Sequence, residues 1–461
     1  MFLFINDLVK IAKNTIIVIN TLIVRIIDFM VFKAYDIRGK YPLEIDEQFS
    51  YNLGRTLGKK YKNILFGIDS RIGSEGIKDH FVTGVLDSNA KVEYAGIIST
   101  PMLYYLTKDK FDVGVIATAS HNPKDFTGFK ICGKDGIPLS PENDIKPEFI
   151  EYGKPDRIYD SEDLRKDFGE GYIRYYVDKF RDLNYKGDIV VDFSNGATVY
   201  EKKIIEKVFP NAYFIGDVPD GNFPNHAPDT MKKECLEMLI NKVKETGASI
   251  GVIFDGDGDR IGIVDEKGNP IRGDILSCVI LSEILKGRNN ETVLYDLRCS
   301  RIVGETIISL GAKPLKSRVG HYFIKKTMKE ENAIFAGELS NHFYFREIGG
   351  FEAPLLALYY ILKSVGESRL SEVAKKYMKY SHSGEINFKV KDQKETIDKL
   401  LKEYQHGNID YTDGITIEEK DWWTNIRPSN TEPLLRINVE ANDEMTLNKK
   451  IQELSRLIEG E

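Results

Sequence analysis

The chain has 461 residues and a net charge of −7, with 64 Lys and Arg against 71 Asp and Glu. That balance argues against a nucleic-acid-binding protein, and the length predicts three or four domains. Four cysteines (Cys132, Cys235, Cys278, Cys299) show no paired spacing, which predicts free thiols in a reducing, cytoplasmic compartment.

Residues 1–29 are apolar, most densely from Ile16 to Ile27, but Asn20 and Arg25 break the run and Asp28 follows it. No span reaches the ~18 apolar residues of a membrane helix, and no small-residue cleavage site marks a signal peptide. No membrane association is expected. Met30 stands directly before Val31-Phe32-Lys33-Ala34-Tyr35, so translation is expected to begin there, with 1–29 as an extension. A peripheral membrane helix is the alternative.

Three later segments share one plan. Ile64 to Asp69, Ile189 to Asp192 and Val293 to Asp296 are short apolar runs ending in Asp. Small or polar residues follow each: Ser70-Arg71, Ser194-Asn195-Gly196 and Arg298-Cys299-Ser300. Helix-like stretches such as Tyr200 to Val208 come next. A strand-loop-helix unit appearing three times predicts three related α/β domains with mixed, mostly parallel sheets.

Two motifs within these units carry chemistry. Val113 to Ala117 reads as a strand that turns into Thr118-Ala119-Ser120-His121-Asn122-Pro123, and a serine there is placed to project into a crevice. Residue pattern alone also permits a capping Ser with a structural His. A Ser-His-Asp hydrolase is disfavoured, because no Gly-x-Ser-x-Gly elbow surrounds Ser120. Ala248 to Phe254 reads as a buried strand, followed by Asp255-Gly256-Asp257-Gly258-Asp259-Arg260. In an extended backbone this spacing turns all three carboxylates the same way, and Gly256 and Gly258 let the chain fold tightly between them. Oxygen-only ligands favour a hard cation, Mg²⁺ first. A calcium-binding helix-loop-helix is a poorer fit: Glu266 stands at loop position 12, but position 6 is not Gly and Ile261 to Val264 reads as a strand. A solvated acidic turn remains open.

From Ser383 the pattern changes. Ile386 to Val390, Ile415 to Ile417 and Arg436 to Val439 read as strands, with helices at Thr396 to Tyr404 and Leu447 to Leu457. This predicts a small α+β domain. Arg427, Ser429, Asn430 and Thr431 crowd hydrogen-bond donors suited to a phosphate dianion, or to a solvated turn. Glu338 and Ser340 alternate, which lets both face one pocket. Trp422 and Trp423 read as packing, and His80, His226, His382 and His406 as ordinary histidines.

Together these residues resemble the α-D-phosphohexomutase superfamily, nearest the phosphomannomutase/phosphoglucomutase group. The likeness runs from about Phe32 to the C-terminus through five motifs in order. They are Phe32 to Gly39, Thr118 to Pro123 with Lys130 after it, Asp255 to Arg260, Gly337 to His342, and Arg427 to Pro433. The resemblance implies domains at 30–163, 164–272, 273–381 and 382–461 around a central cleft. It implies that Ser120 carries a phosphoryl group and that Mg²⁺ is bound by Ser120, Asp255, Asp257 and Asp259. Catalytic roles fall to His121, Lys130, Arg260 and Arg38. Glu338, Ser340, His342 and His321 are implied to hold the sugar, and Arg427, Ser429, Asn430 and Thr431 its distal phosphate, with Tyr35 in the opening motif. The partner is then a phosphorylated hexose, mannose or glucose, with a hexose 1,6-bisphosphate as activator. A phosphoglucosamine mutase, a metal-dependent phosphatase and a non-catalytic sugar-phosphate-binding protein are the alternatives. Asn341 departs from the family, which usually has Gly there, yet Asn tolerates positive φ best after Gly.

Overall fold

The computed structural model describes residues 31–428 and 434–459. Residues 1–29, Ser429, Asn430 and Thr431 lie outside the described residues.

The expected units are present, and their sheets are mixed. In the first, Lys91–Ile97, Asn63–Ile68 and Val113–Ala117 run parallel, then Phe126–Gly133 and Ile37–Lys40 pair antiparallel. In the second, Tyr213–Ile215, Ile189–Asp192 and Ile250–Phe254 are parallel, followed by antiparallel Ile261–Asp265 and Pro270–Ile271. In the third, Lys313–Ser317, Thr292–Asp296 and Phe335–Gly337 are parallel, followed by antiparallel Phe343–Phe345 and Phe351–Glu352. The order of pairings is the same in all three. The third parallel strand does not cross over through a helix; it turns straight back as a hairpin, which only antiparallel pairing allows.

The Asp that ends each repeated run has a common job. Its carboxylate accepts the backbone N–H two residues on: Arg71 to Asp69 at 2.9 Å, Ser194 to Asp192 at 2.8 Å, Arg298 to Asp296 at 2.7 Å. A short side chain that bonds its own backbone two residues ahead shapes a tight turn. This is why the same residue type recurs at that position.

One continuous apolar core joins the second and third units and reaches the helix Thr100–Thr107 of the first, through Tyr172, Tyr176, Phe254, Leu276 and Phe343. The first unit also has its own core around Phe66, Phe81 and Phe129. The last unit is fully antiparallel, in the order Ser381–Lys389, Leu434–Ala441, Trp422–Pro428, Ile415–Glu418 and Asn408–Asp410, with helices Gln393–Glu403 and Glu444–Glu459. Its core is separate and includes Trp422, as the expected packing role requires. It meets the third unit through polar contacts. Arg301 Nε donates to Glu440 at 3.2 Å, and the Val319 N–H to Asp413 at 3.0 Å. Among the described residues no helix is long and apolar enough to cross a membrane.

The first unit's helices Glu47–Lys60 and Ile72–Leu86 pack backbone against backbone. A Cβ added at Gly54 would lie 2.2 Å from the Phe81 carbonyl oxygen, and one at Gly84 2.2 Å from that of Tyr51. No side-chain rotation relieves either clash. Gly84→Ala is therefore expected to cost about 1–3 kcal/mol by overpacking, read as an earlier thermal melt with the circular-dichroism spectrum unchanged.

Candidate active site

The three hairpins of the three α/β units carry the three predicted loops. The strand pairs that bracket them are Ala117 with Phe129, Phe254 with Ile261, and Gly337 with Phe343. The loops also touch one another. Ile261 N–H donates to the Asn341 carbonyl at 3.1 Å, and from the start of helix Thr100–Thr107 the Thr100 N–H reaches the Asp257 carbonyl of the acidic loop at 2.8 Å. A Cβ at Gly256 would sit 2.5 Å from the Ser120 carbonyl oxygen, so only glycine lets the serine and acidic loops meet this closely.

Ser120 has a left-handed backbone, φ +51°, unusual for a residue with a Cβ. Its Oγ donates to Asp255 Oδ2 at 2.8 Å and lies 3.3 Å from His121 Nδ1. Arg38 pairs with Asp36 at 2.8 Å and donates to the Ala119 carbonyl at 3.0 Å and to Asn122 Oδ1 at 2.5 Å. Burial, then Arg260 and Arg38, hold His121 well below the ordinary imidazole value, so it is neutral.

Asp255, Asp257 and Asp259 are all buried and offer oxygens within 4.8 Å of one another. They converge through a turn rather than an extended strand: Gly258 takes φ +71° and its N–H donates to the Asp255 carbonyl at 3.2 Å. Lys130 Nζ sits 2.6 Å from Asp257 and 2.5 Å from Asp259. Asp257 also accepts from Thr100 Oγ1 at 2.7 Å. Burial, then Asp259 and Asp257, push Asp255 well above the usual carboxylate range. Burial acts the same way on Asp259, but Lys130 and His342 outweigh it and hold that carboxyl well below the range. The Oδ1 of Asp257 is buried with no hydrogen-bond partner among the described residues. Three buried carboxylates, one of them with an unpartnered oxygen, and one serine hydroxyl form an oxygen-only donor set that fits a hard divalent cation.

His342 joins the acidic loop to the third hairpin. Its Nδ1 lies 2.9 Å from Glu338 Oε2 and its Nε2 3.2 Å from Asp259 Oδ1. Burial opposes charge on this ring, yet Asp259 and Glu338 prevail and push it up to about 9. Arg260 Nε lies 3.3 Å from the same ring. Glu338 further accepts from Tyr344 at 2.7 Å and from the Gly320 N–H at 3.3 Å. Ser340 Oγ is 3.1 Å from His342 Nδ1. Asn341 takes φ +68°, a left-handed conformation that Asn tolerates best after Gly. Its side-chain amide donates to Thr230 Oγ1 at 3.3 Å.

His321 packs edge-on to Tyr35 with ring centroids 5.7 Å apart, and neither ring nitrogen has a hydrogen-bond partner among the described residues. Burial, then Lys325 and Lys130, hold it well below the ordinary imidazole value. Arg427 lies on Trp422–Pro428, with its guanidinium 3.3 Å from Glu385 and 3.6 Å from Asp413. Its intended neighbours Ser429, Asn430 and Thr431 fall outside the described residues.

Two arginines escaped the sequence reading. Arg298 donates twice to Asp296, at 2.7 and 3.1 Å, and lies 3.5 Å from Ser340 and 3.9 Å from Glu385, where the third and fourth units meet. Arg71 is buried against the serine loop. The signal was there: Asp69-Ser70-Arg71 and Asp296-Leu297-Arg298 are the same Asp-x-Arg in two of the three units. Of the histidines read as ordinary, His226 braces the second unit's turn at 2.9 Å from Asp192.

Comparison with known proteins follows the same division. Residues 30–153, 170–268 and 272–380 match the Phosphoglucomutase/phosphomannomutase alpha/beta/alpha domains I, II and III, and 385–456 match the C-terminal domain of the same family. A phosphomannomutase of Methanocaldococcus jannaschii is 54% identical over 442 residues, covering 94% of this chain and 98% of that one. A phosphomannomutase/phosphoglucomutase of Pseudomonas syringae pv. tomato is 32% identical, covering 91% and 93%. A crystal structure of a phosphoglucomutase/phosphomannomutase family protein from Burkholderia thailandensis superposes with a TM-score of 0.82 at 26% identity, covering 94% and 97%. With four family domains in order along the chain and a majority-identical relative over nearly its whole length, the chain belongs to the phosphoglucomutase/phosphomannomutase family.

Proposed function

We propose that this protein is a phosphohexomutase that interconverts hexose 1-phosphates and hexose 6-phosphates, with mannose, glucose or both as the sugar, through phosphorylated Ser120. The observation that carries this reading is the Ser120 hydroxyl held 2.8 Å from Asp255, at the edge of a buried acidic triad. The domains are assigned to 30–163, 164–272, 273–381 and 382–461, after the extension 1–29.

In the forward half-reaction the P–O bond to Ser120 Oγ breaks. A new P–O bond forms to the sugar's free hydroxyl, whose proton leaves to a base. Neutral His121, beside Ser120, is suited to take that proton. Lys130, Arg260 and Arg38 bring positive charge to where the transferring group must sit. The product is a hexose 1,6-bisphosphate, which turns over and returns its other phosphoryl group to Ser120. The same compound added from outside would phosphorylate a resting enzyme and so act as activator. Glu338, Ser340, His342 and His321, with Tyr35 behind His321, suit the sugar hydroxyls. Arg427, with Ser429, Asn430 and Thr431, suits the phosphate that is not reacting, and that remote grip supplies orientation. Mg²⁺ held by Asp255, Asp257, Asp259 and Ser120 would draw charge from the phosphoryl oxygens.

No nucleic-acid or membrane partner belongs to this reading, and the four buried free cysteines suit a cytoplasmic setting. A phosphoglucosamine mutase differs only in the sugar's 2-substituent. A phosphatase would pass the group to water, and a binding protein would leave it in place.

The test is mutase activity with Mg²⁺ and a trace of glucose 1,6-bisphosphate on mannose, glucose and glucosamine 1-phosphates. Conversion to a 6-phosphate that falls by at least about 10⁴-fold in Ser120→Ala is expected, since the nucleophile of a covalent mechanism has no substitute. Release of free phosphate, or activity that survives Ser120→Ala, contradicts it.

The cation site has its own readout. Lys130→Met removes the ammonium between two buried carboxylates, and breaking such a pair costs about 3–5 kcal/mol. The metal-free variant should melt early, and Mg²⁺ should raise its melting point more than it raises the wild type's, because a cation that binds only the folded state stabilises it. Equal melting points with and without Mg²⁺ would argue against a cation at the triad.

A further inference from the structure

Arg71 precedes the helix Ile72–Leu86, and its side chain has no solvent exposure. Both terminal nitrogens of its guanidinium donate hydrogen bonds, while Nε is held by charge alone. Nε lies 3.1 Å from Asp69 Oδ2. One terminal nitrogen donates to the carbonyls of Ser120 at 2.5 Å and Asn122 at 2.7 Å. The other donates to Pro123 at 2.6 Å and Phe126 at 3.2 Å. Four carbonyls of one turn thus converge on a single planar cation. The ring of Phe223, from the second unit, lies 5.0 Å from the guanidinium and closes it from that side.

The hairpin does not need this fork to form. Val113–Ala117 and Phe126–Gly133 are already laddered from Val113–Gly133 to Ala117–Phe129. What the fork adds is confined to the turn itself, where Ser120 holds φ +51°. A residue with a Cβ stays in that region only when its surroundings over-determine it. Holding the Ser120 carbonyl fixes the peptide plane after it, and with that the direction of the Cα–Cβ bond. The result is an Oγ aimed at Asp255.

We propose that Arg71 is a positioning residue for phosphoryl transfer: it touches no substrate, and its guanidinium locks Ser120 in the left-handed conformation that presents Oγ to the acidic triad. The proposal rests on the reading that Ser120 carries the phosphoryl group. Lysine would keep the charge beside Asp69 but lacks the planar fork, so it cannot hold four carbonyls at once.

The experiment compares wild type, Arg71→Lys and Asp69→Asn. The second variant keeps an oxygen for the Arg71 backbone N–H and removes the negative charge beside Nε. Phosphoserine content is measured by intact mass, kcat and KM with glucose 1-phosphate, single-turnover transfer from the phosphoenzyme, and the melting point. A misplacement of about 1 Å costs on the order of 100-fold in rate. In Arg71→Lys, kcat and single-turnover transfer are expected to fall by about that factor, with KM within about twofold and a cooperative melt retained. Asp69→Asn should move the same quantities by a smaller factor. Unchanged kcat in either folded variant, or a loss that only tracks early melting or a raised KM, overturns the proposal. A wild-type protein that never carries phosphoserine defeats the proposed function instead, and shows before any variant is compared.

Discussion

Three carboxylates buried with oxygens within 4.8 Å of each other are the constraint on which the rest of this structure depends. Like charges at that separation, away from water, repel strongly enough to raise the pKa of at least one of them. Each neighbour answers that repulsion. Lys130 comes from the first unit, Arg260 from the acidic loop itself and His342 from the third unit. Because the compensating cations belong to different units, charge balance is reached only when those units are docked. The shared apolar core from Tyr172 to Phe343 holds them so. Packing and electrostatics are therefore one requirement here. The core positions the loops, and the loops make the buried charges tolerable.

Much of this was legible in the residues. The apolar runs ending in Asp gave the three units, because period and punctuation are local signals, and the C-terminal change of pattern gave the fourth. The motifs named the loops. What spacing could not give was their convergence. Lys130 and Asp257 are 127 residues apart, and only the fold makes them partners at 2.6 Å. The two glycines of the acidic triplet signal the tight fold that the structure has there. The mixed, mostly parallel sheets were expected too, although the hairpin after each third strand has a functional loop in place of the usual turn signature. Arg71 and Arg298 were passed over for a related reason. Each stands in a polar loop, and its importance lies in backbone and side-chain acceptors remote in sequence, which composition does not report.

The repeat explains how one scaffold supports unlike tasks. A hairpin between the third and fourth strands presents a serine in the first unit, carboxylates in the second and a Glu-Ser-His group in the third. The strands beneath are the same in kind, so each loop is free to carry its own chemistry without altering the sheet that aims it.

The junction between the third and fourth units is of a different character. Arg301 with Glu440, Arg298 with Glu385 and Val319 with Asp413 are polar contacts, and the fourth unit keeps its own core. Oil-like surface can be parted only at the full expense of exposing it, whereas water replaces a salt bridge or hydrogen bond with one of nearly equal strength. Hydration thus makes this seam a low-cost place to open, and dissolved ions lower the barrier further by screening it. A doubly charged sugar that turns over between the two proposed half-reactions would need room for a moment, and this solvent-closed seam is where parting the units would cost least.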